Sequence, residues 1–162
     1  FGGGTGVLDI AAVDLYANSA TSVFYDDLQL IPAKHGVRRY GEPSAGTNDK
    51  PLIYALDDAI SPSSTFGIAC RSGPLSNNLG AIVFTIRQYT TGLSYAGINL
   101  LVDPFPAIIS GPAMTDAAGG SIFLQPLSTS FAGWKLFVQY IWIDPNVNGP
   151  LSASDALEIL IQ

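Results

Sequence analysis

Apolar and polar positions along the chain alternate mostly with a period of two, and helical spacing is almost absent. The runs 6–17, 22–32, 51–57, 65–72, 81–89, 97–103, 120–127, 134–143 and 156–162 are short and rich in Val, Ile, Tyr and Phe. Clusters of Gly, Pro, Asn and Ser separate them, which is how the strands of a sandwich or barrel read. The stretch 112–119 reads as an exposed connection, with a short helix as its alternative.

Side-chain direction follows from the alternation. In 22–31, Phe24, Asp26, Leu28 and Leu30 share one face, which sets Asp26 among apolar groups and Asp27 on the polar side. Ile82, Phe84 and Ile86 oppose Val83, Thr85 and Arg87, and Leu157, Ile159 and Ile161 oppose Glu158, Leu160 and Gln162, both half-buried patterns. Two runs break the rule. Residues 7–16, with Val7, Ile10, Val13 and Leu15, and residues 134–143 carry apolar groups on both faces. Such a strand needs cover on both sides, from a loop, another domain or another subunit.

The pattern predicts an all-β fold, an antiparallel β-sandwich or jelly roll of about seven to nine strands. The polar, turn-rich stretch 34–50 reads as a linker between a two-strand arm (1–33) and the sandwich body (51–162). Two strands alone are marginal in water, so the arm is expected to pack on the body, on upstream sequence or on another molecule.

Composition narrows the class. Of 162 residues, 48% are hydrophobic and only 12% charged, with a net charge of −6. Disorder needs the opposite balance. Seven basic residues scattered along the chain do not make a nucleic-acid footprint, and no apolar run reaches the ~18 residues of a membrane span. The start, Phe1-Gly2-Gly3-Gly4, has no initiator Met and predicts a processed form or a segment of a longer product. The single cysteine, Cys70, rules out an internal disulfide and reads as a small buried hydrophobe.

The candidate chemistry is sparse. His35, the only histidine, lies in a turn and would have to serve every nucleophilic scheme; a solvated loop residue is the plainer reading. Asp26, Asp27, Asp57, Asp58, Asp103, Asp116, Glu42 and Glu158 are the carboxylates for paired acid–base work, and most sit at strand ends or turns. No catalytic set is expected, so the chain reads as a non-enzyme. Asp144-Pro145-Asn146-Val147-Asn148-Gly149 matches a calcium-loop spacing, with Asp155 at the twelfth position. The same residues are plain turn formers, so no cofactor is required and calcium is the candidate. Trp134, Tyr140 and Trp142 recur on one face of their run. Exposed, they would make a sugar platform; otherwise they are core or interface.

Other segments carry a resemblance. These are Tyr40-Gly41, Ser72-Gly73-Pro74-Leu75-Ser76, Gly97-Ile98-Asn99-Leu100-Leu101-Val102-Asp103-Pro104 and Thr115-Asp116-Ala117-Ala118-Gly119-Gly120. Further on come Phe131-Ala132-Gly133-Trp134-Lys135-Leu136-Phe137-Val138-Gln139, Asp144-Pro145 and Leu151-Ser152-Ala153-Ser154-Asp155-Ala156-Leu157. In this order they resemble the carboxy-terminal β-rich module of secreted planctomycete-type bacterial proteins, over roughly residues 40–162. That family often has a Cys after its opening Tyr-Gly-x-Gly and another before its Leu-x-Val-Asp-Pro strand; both are missing here. The resemblance implies an extracellular β-rich module and no particular reaction. Val23-Phe24-Tyr25-Asp26-Asp27-Leu28-Gln29-Leu30 looks like a final strand of a concanavalin-like jelly roll.

These readings converge on an extracellular or cell-surface structural protein. It would assemble into a homo-oligomer or polymer by strand addition, as a filament or coat subunit. Scarce charge lowers repulsion between packed copies. Val7, Ile10, Val13, Leu15, Trp134, Tyr140 and Trp142 are the expected interface residues. A carbohydrate-binding module with a polysaccharide partner, or a sorting module, is the alternative.

Overall fold

The period-two runs form strands in the computed structural model, which describes residues 34–75, 77–105, 107–147 and 149–162. The predicted arm, including Val7, Ile10, Val13, Leu15, Asp26 and Asp27, lies outside the described residues. In chain order the strands are β1 (Val37–Tyr40), β2 (Leu52–Ala55), β3 (Ser63–Arg71), β4 (Leu79–Thr85) and β5 (Gln88–Tyr95). Then follow β6 (Ile98–Val102), β7 (Ala107–Met114), β8 (Ser121–Leu127), β9 (Lys135–Val147) and β10 (Gly149–Leu160). A single 3₁₀ turn, Thr129–Phe131, is the only helical element among the described residues.

The fold is all-β, with antiparallel sheets packed face to face as a β-sandwich. The main sheet has the order β1-β10-β9-β4-β7, and the outer sheet the order β2-β3-β8. Between them lies the principal core. Leu136, Val138, Tyr140 and Trp142 of β9 meet Ile53, Phe66 and Ile68 of the outer sheet. Tyr140 and Trp142 are fully buried, with rings stacked at 5.2 Å and 8°. Burying side chains of this size contributes roughly 2–3 kcal/mol each.

The opposite face of the main sheet is covered as well. The β5–β6 hairpin lies over it, with Leu101 and Val102 against Val83, Phe137 and Ala156, and Ile98 and Leu100 against Ala153 and Ile141. This answers the doubly apolar run 134–143. Its second cover is a hairpin of the same chain, so the run does not by itself call for a partner subunit. The same layering buries Val83 and Thr85 of β4, which the half-buried pattern left facing water.

Two boundaries are corrected. Residues 34–50 are more than a linker, because β1 pairs with β10 from Val37↔Ile159 to Tyr40↔Ala156. The expected loop between 143 and 156 is mostly strand. β9 continues to Val147 and β10 begins at Gly149. Strands β5 and β7 fall where the alternation is blurred by Thr-Thr-Gly and by Gly-Pro. β7 takes in the first residues of the stretch 112–119, and Asp116–Gly120 then closes a turn.

Candidate functional site

Asp57, Asp58, Asp103, Asp144, Asp155 and Glu158, named from the sequence, are engaged in the scaffold. Ser154 and Asp155 form a β-bulge opposite Tyr140, between the pairs Ala153↔Ile141 and Ala156↔Gln139. Bulges re-aim side chains, and this one turns Asp155 toward the sandwich edge. There Oδ1 accepts the Ile53 N–H at 2.8 Å and Oδ2 accepts Arg39 Nε at 2.8 Å. Asp144 is fully buried, and accepts the Thr47 N–H at 2.9 Å and the Thr47 hydroxyl. Asp57 accepts the Gly67 N–H, Asp58 the His35 N–H, and Asp103 both the Phe105 N–H and the Tyr89 hydroxyl. Glu158 pairs with Arg38 and Lys135.

A shared calcium ion does not fit Asp144 and Asp155. They lie on the two arms of the β9–β10 hairpin, and near Ser152↔Trp142 the register places them on opposite sides of the same pair. Asp155 lies in the bulge opposite Tyr140, so Asp144 is offset from it along β9 by the distance from Tyr140 to Asp144; at ~3.3 Å per residue that is roughly 13 Å, far beyond one coordination sphere. Asn146 lies in β9 and Asn148 outside the described residues. No group of three or more His, Cys, Asp or Glu converges on one point among the described residues.

Of the readings open for the aromatic row, core holds for Tyr140 and Trp142, and neither is free to serve as sugar platform or interface. The Tyr140 hydroxyl donates to Ile68 O at 3.1 Å. Burial pushes the Tyr140 hydroxyl up from its usual range. Among the described residues the indole Nε1–H of Trp142 makes no hydrogen bond of ordinary geometry, and the group it favours weakly is the Cys70 thiol. Trp134 precedes β9, is 42% exposed, and meets Phe131 edge to face. Cys70 is buried as expected, and burial pushes its thiol up to about 12.

The surface feature left over is a trough on the open face of the outer sheet. Its axis is β3, the middle strand. The outward positions of β3 are Gly67, Ala69 and Arg71, alternating with inward Phe66, Ile68 and Cys70. Gly67 and Ala69 make a low floor, buried beneath the flanking side chains, with Ala69 only 1% exposed. The register sets Tyr54 of β2 and Ile122 of β8 on either side of Ala69, and Leu124 beside Gly67. Leu56 closes one end by lying across Gly67, where any Cβ would strike it at 2.8 Å. At the other end stand Arg71, Met114 and Asp116 around an open cavity of about 430 Å³. Ile122 is 66% exposed, and Leu124 and Met114 are also exposed.

Arg71 pairs with no carboxylate among the described residues. Asp116 is shaped by its turn: Oδ1 accepts the Ala118 N–H at 2.9 Å and the Gly120 N–H at 2.8 Å, which leaves Oδ2 for other partners. The alternation in 65–72 reveals the outward small residues Gly67 and Ala69. The flanking walls come from strands distant in sequence, so the trough itself is not legible there. In comparison with known proteins, no family model, no curated protein and no solved structure matches the chain.

Proposed function

We propose that this chain is a non-catalytic, extracellular assembly module whose copies join through the β5 edge. The observation that carries the reading is the state of that edge. Among the described residues β5 pairs only with β6, so no described strand takes up the backbone groups on its far side. The other sheet edges are guarded in the ways that discourage strand addition. β1 and β2 have four residues each, β1 carries Arg38 and Arg39, β7 holds Pro112 and β8 holds Pro126. β5 has eight residues without Pro or charge; it bulges between Gln88 and Leu93, where Gly92 has a positive φ, and Leu93–Tyr95 pair regularly with β6.

The side chains of β5 support the same reading. Leu93 lies opposite Leu100, and Tyr95 opposite Ile98. Directly opposed residues point to the same face. Leu100 and Ile98 are buried against the main sheet, yet Leu93 is 47% and Tyr95 62% exposed. β5 therefore overhangs the core with its apolar face uncovered. An added strand would satisfy both the backbone and these side chains. The non-catalytic reading is supported by the engagement of Asp57, Asp58, Asp103, Asp144, Asp155 and Glu158 in the scaffold, and the extracellular setting by the resemblance to secreted modules.

Sedimentation velocity of the full chain across a concentration series tests the proposal. The expected result is reversible self-association, abolished by Leu93→Glu and by Ser94→Pro, with the fold intact by circular dichroism. A closed dimer would mean an isologous β5–β5 contact, and fibres a head-to-tail one. A chain that stays monomeric throughout, or associates equally well with both substitutions, would end this reading.

A further inference from the structure

We propose that the trough over β3 binds a neutral carbohydrate, its ring faces lying on Tyr54 and Ile122 and its hydroxyls engaging Arg71 and Asp116. The outer sheet lies on the opposite side of the main sheet from β5, so this inference does not rest on the assembly reading.

Three features select the ligand. The first is backbone supply. β3 is hydrogen-bonded to β2 on one side and β8 on the other, so the trough floor has no free main-chain ladder. A peptide strand binds through such a ladder at a sheet edge; here recognition falls to side chains alone. The second is charge. Arg71 and Asp116 line the same cavity of about 430 Å³ without forming an ion pair. An anionic ligand meets the Asp116 carboxylate, and a cationic one meets the Arg71 guanidinium. A neutral ligand with both donors and acceptors satisfies both: its hydroxyls accept from Arg71 and donate to Asp116 Oδ2. The third is the apolar wall of Tyr54, Met114 and Ile122. A wholly polar ligand would leave it idle, and a wholly apolar one would strip water from Arg71 and Asp116 without replacing it. A pyranose ring has C–H faces for the wall and edge hydroxyls for the charges. The cavity falls in the range of small-molecule sites, and its open face suits one or two sugar rings over Ala69 and Arg71, with the rest of a chain leaving at the end away from Leu56.

The test titrates the full chain by calorimetry with cellohexaose, xylohexaose and chitohexaose, with polygalacturonate as the anionic comparison and L-leucine as the zwitterionic one. At least one neutral hexaose is expected to bind with a Kd of about 1 mM or tighter. Arg71→Gln should weaken it about tenfold, and Ala69→Leu, which fills the floor, should abolish it. Trp134→Ala, away from the trough, should leave binding unchanged. Should Ala69→Leu fail to fold, Arg71→Gln and Asp116→Asn still report on the site. Any one of four results overturns the inference: no hexaose binding, binding indifferent to the trough variants, preference for polygalacturonate, or preference for L-leucine.

Discussion

The side-chain amide of Gln139 engages the backbone at Leu101 as a neighbouring strand would. Its Oε1 accepts the Leu101 N–H at 3.0 Å, while its Nε2 donates to Asn99 O at 3.0 Å and to Ser154 O at 2.8 Å. Gln139 is fully buried, so one carboxamide docks β6 onto the main sheet and secures the β10 bulge. The Tyr40 hydroxyl adds a bond to Leu101 O, and Ser44 Oγ accepts the Asn99 N–H. The free edge of β6 is thus finished by side chains.

Gln139→Leu keeps the volume and strands the buried Leu101 N–H and Ser154 O together with the part-buried Asn99 O. Leaving such groups unsatisfied is costly, and the expected loss is about 3 kcal/mol in urea denaturation. Native-state hydrogen exchange should show Leu101 losing protection before the β9 core. Unchanged stability would mean the hairpin is held by apolar contact alone.

Calcium should not stabilise the chain. Asp144 already accepts two bonds from Thr47, and Asp155 is engaged by Ile53 and Arg39. Binding to the native state alone would raise the melting temperature with concentration. Scans with millimolar calcium and with chelator are expected to coincide. A rise of several degrees, removed by Asp144→Asn, would refute the separation of these two carboxylates.

The alternation along the chain was enough to read an all-β sandwich, the core faces of 134–143 and 156–162, and the burial of Cys70. What escaped it was long-range. Asp144-Pro145-Asn146 and Ser152-Ala153-Ser154 have turn-forming composition, yet both lie within the β9–β10 hairpin, the first in a register shift between the pairs Gly149↔Val147 and Leu151↔Ile143, the second paired at Ser152 and Ala153. Turn propensity is local, and the ladder across β9 and β10 overrides it. The second cover of 134–143 was required by the pattern, but only the docking of β6 through Gln139 identifies it. The trough needs Tyr54, Ala69 and Ile122 in one row, which is set by register across three strands separated in sequence.

Cys70 should be inert in the folded protein. It is 2% exposed, and desolvation pushes its thiol up to about 12, with the Trp142 indole pulling modestly the other way. Thiolate is the reactive species, so labelling with a disulfide reagent at pH 8 should proceed only through opening. Its rate should rise with urea in step with unfolding. Rapid labelling in native buffer would place Cys70 in a different setting.

Removing Asp155 should open the sandwich edge. Its carboxylate joins β10 to β2 through Ile53 and to β1 through Arg39. Asp155→Ala strands the Ile53 N–H and unpairs Arg39. Arg39 is 41% exposed and recovers water, so the expected cost is about 2 kcal/mol, below that of a fully buried pair. Arg39→Ala should cost less, about 1 kcal/mol. Adding it to Asp155→Ala should then change little, since both act through one contact. Simple additivity of the two would show that they act independently.

Glu158 supplies an acid-sensitive increment. Hydrogen bonds from Arg38 and then Lys135 hold its carboxyl below the ordinary 4.5. The unfolded chain therefore takes up the proton more readily than the folded one. The contribution is whole above the unfolded value and is lost as pH falls through the folded one. Arg38 is 68% and Lys135 53% exposed, so solvent screening limits the increment to about 1 kcal/mol or less. Glu158→Gln should lower stability slightly at pH 7 and match the unsubstituted chain at pH 2. High salt should shrink the difference at pH 7. A gap between the two proteins that persists into acid would show that Glu158 acts through packing rather than charge.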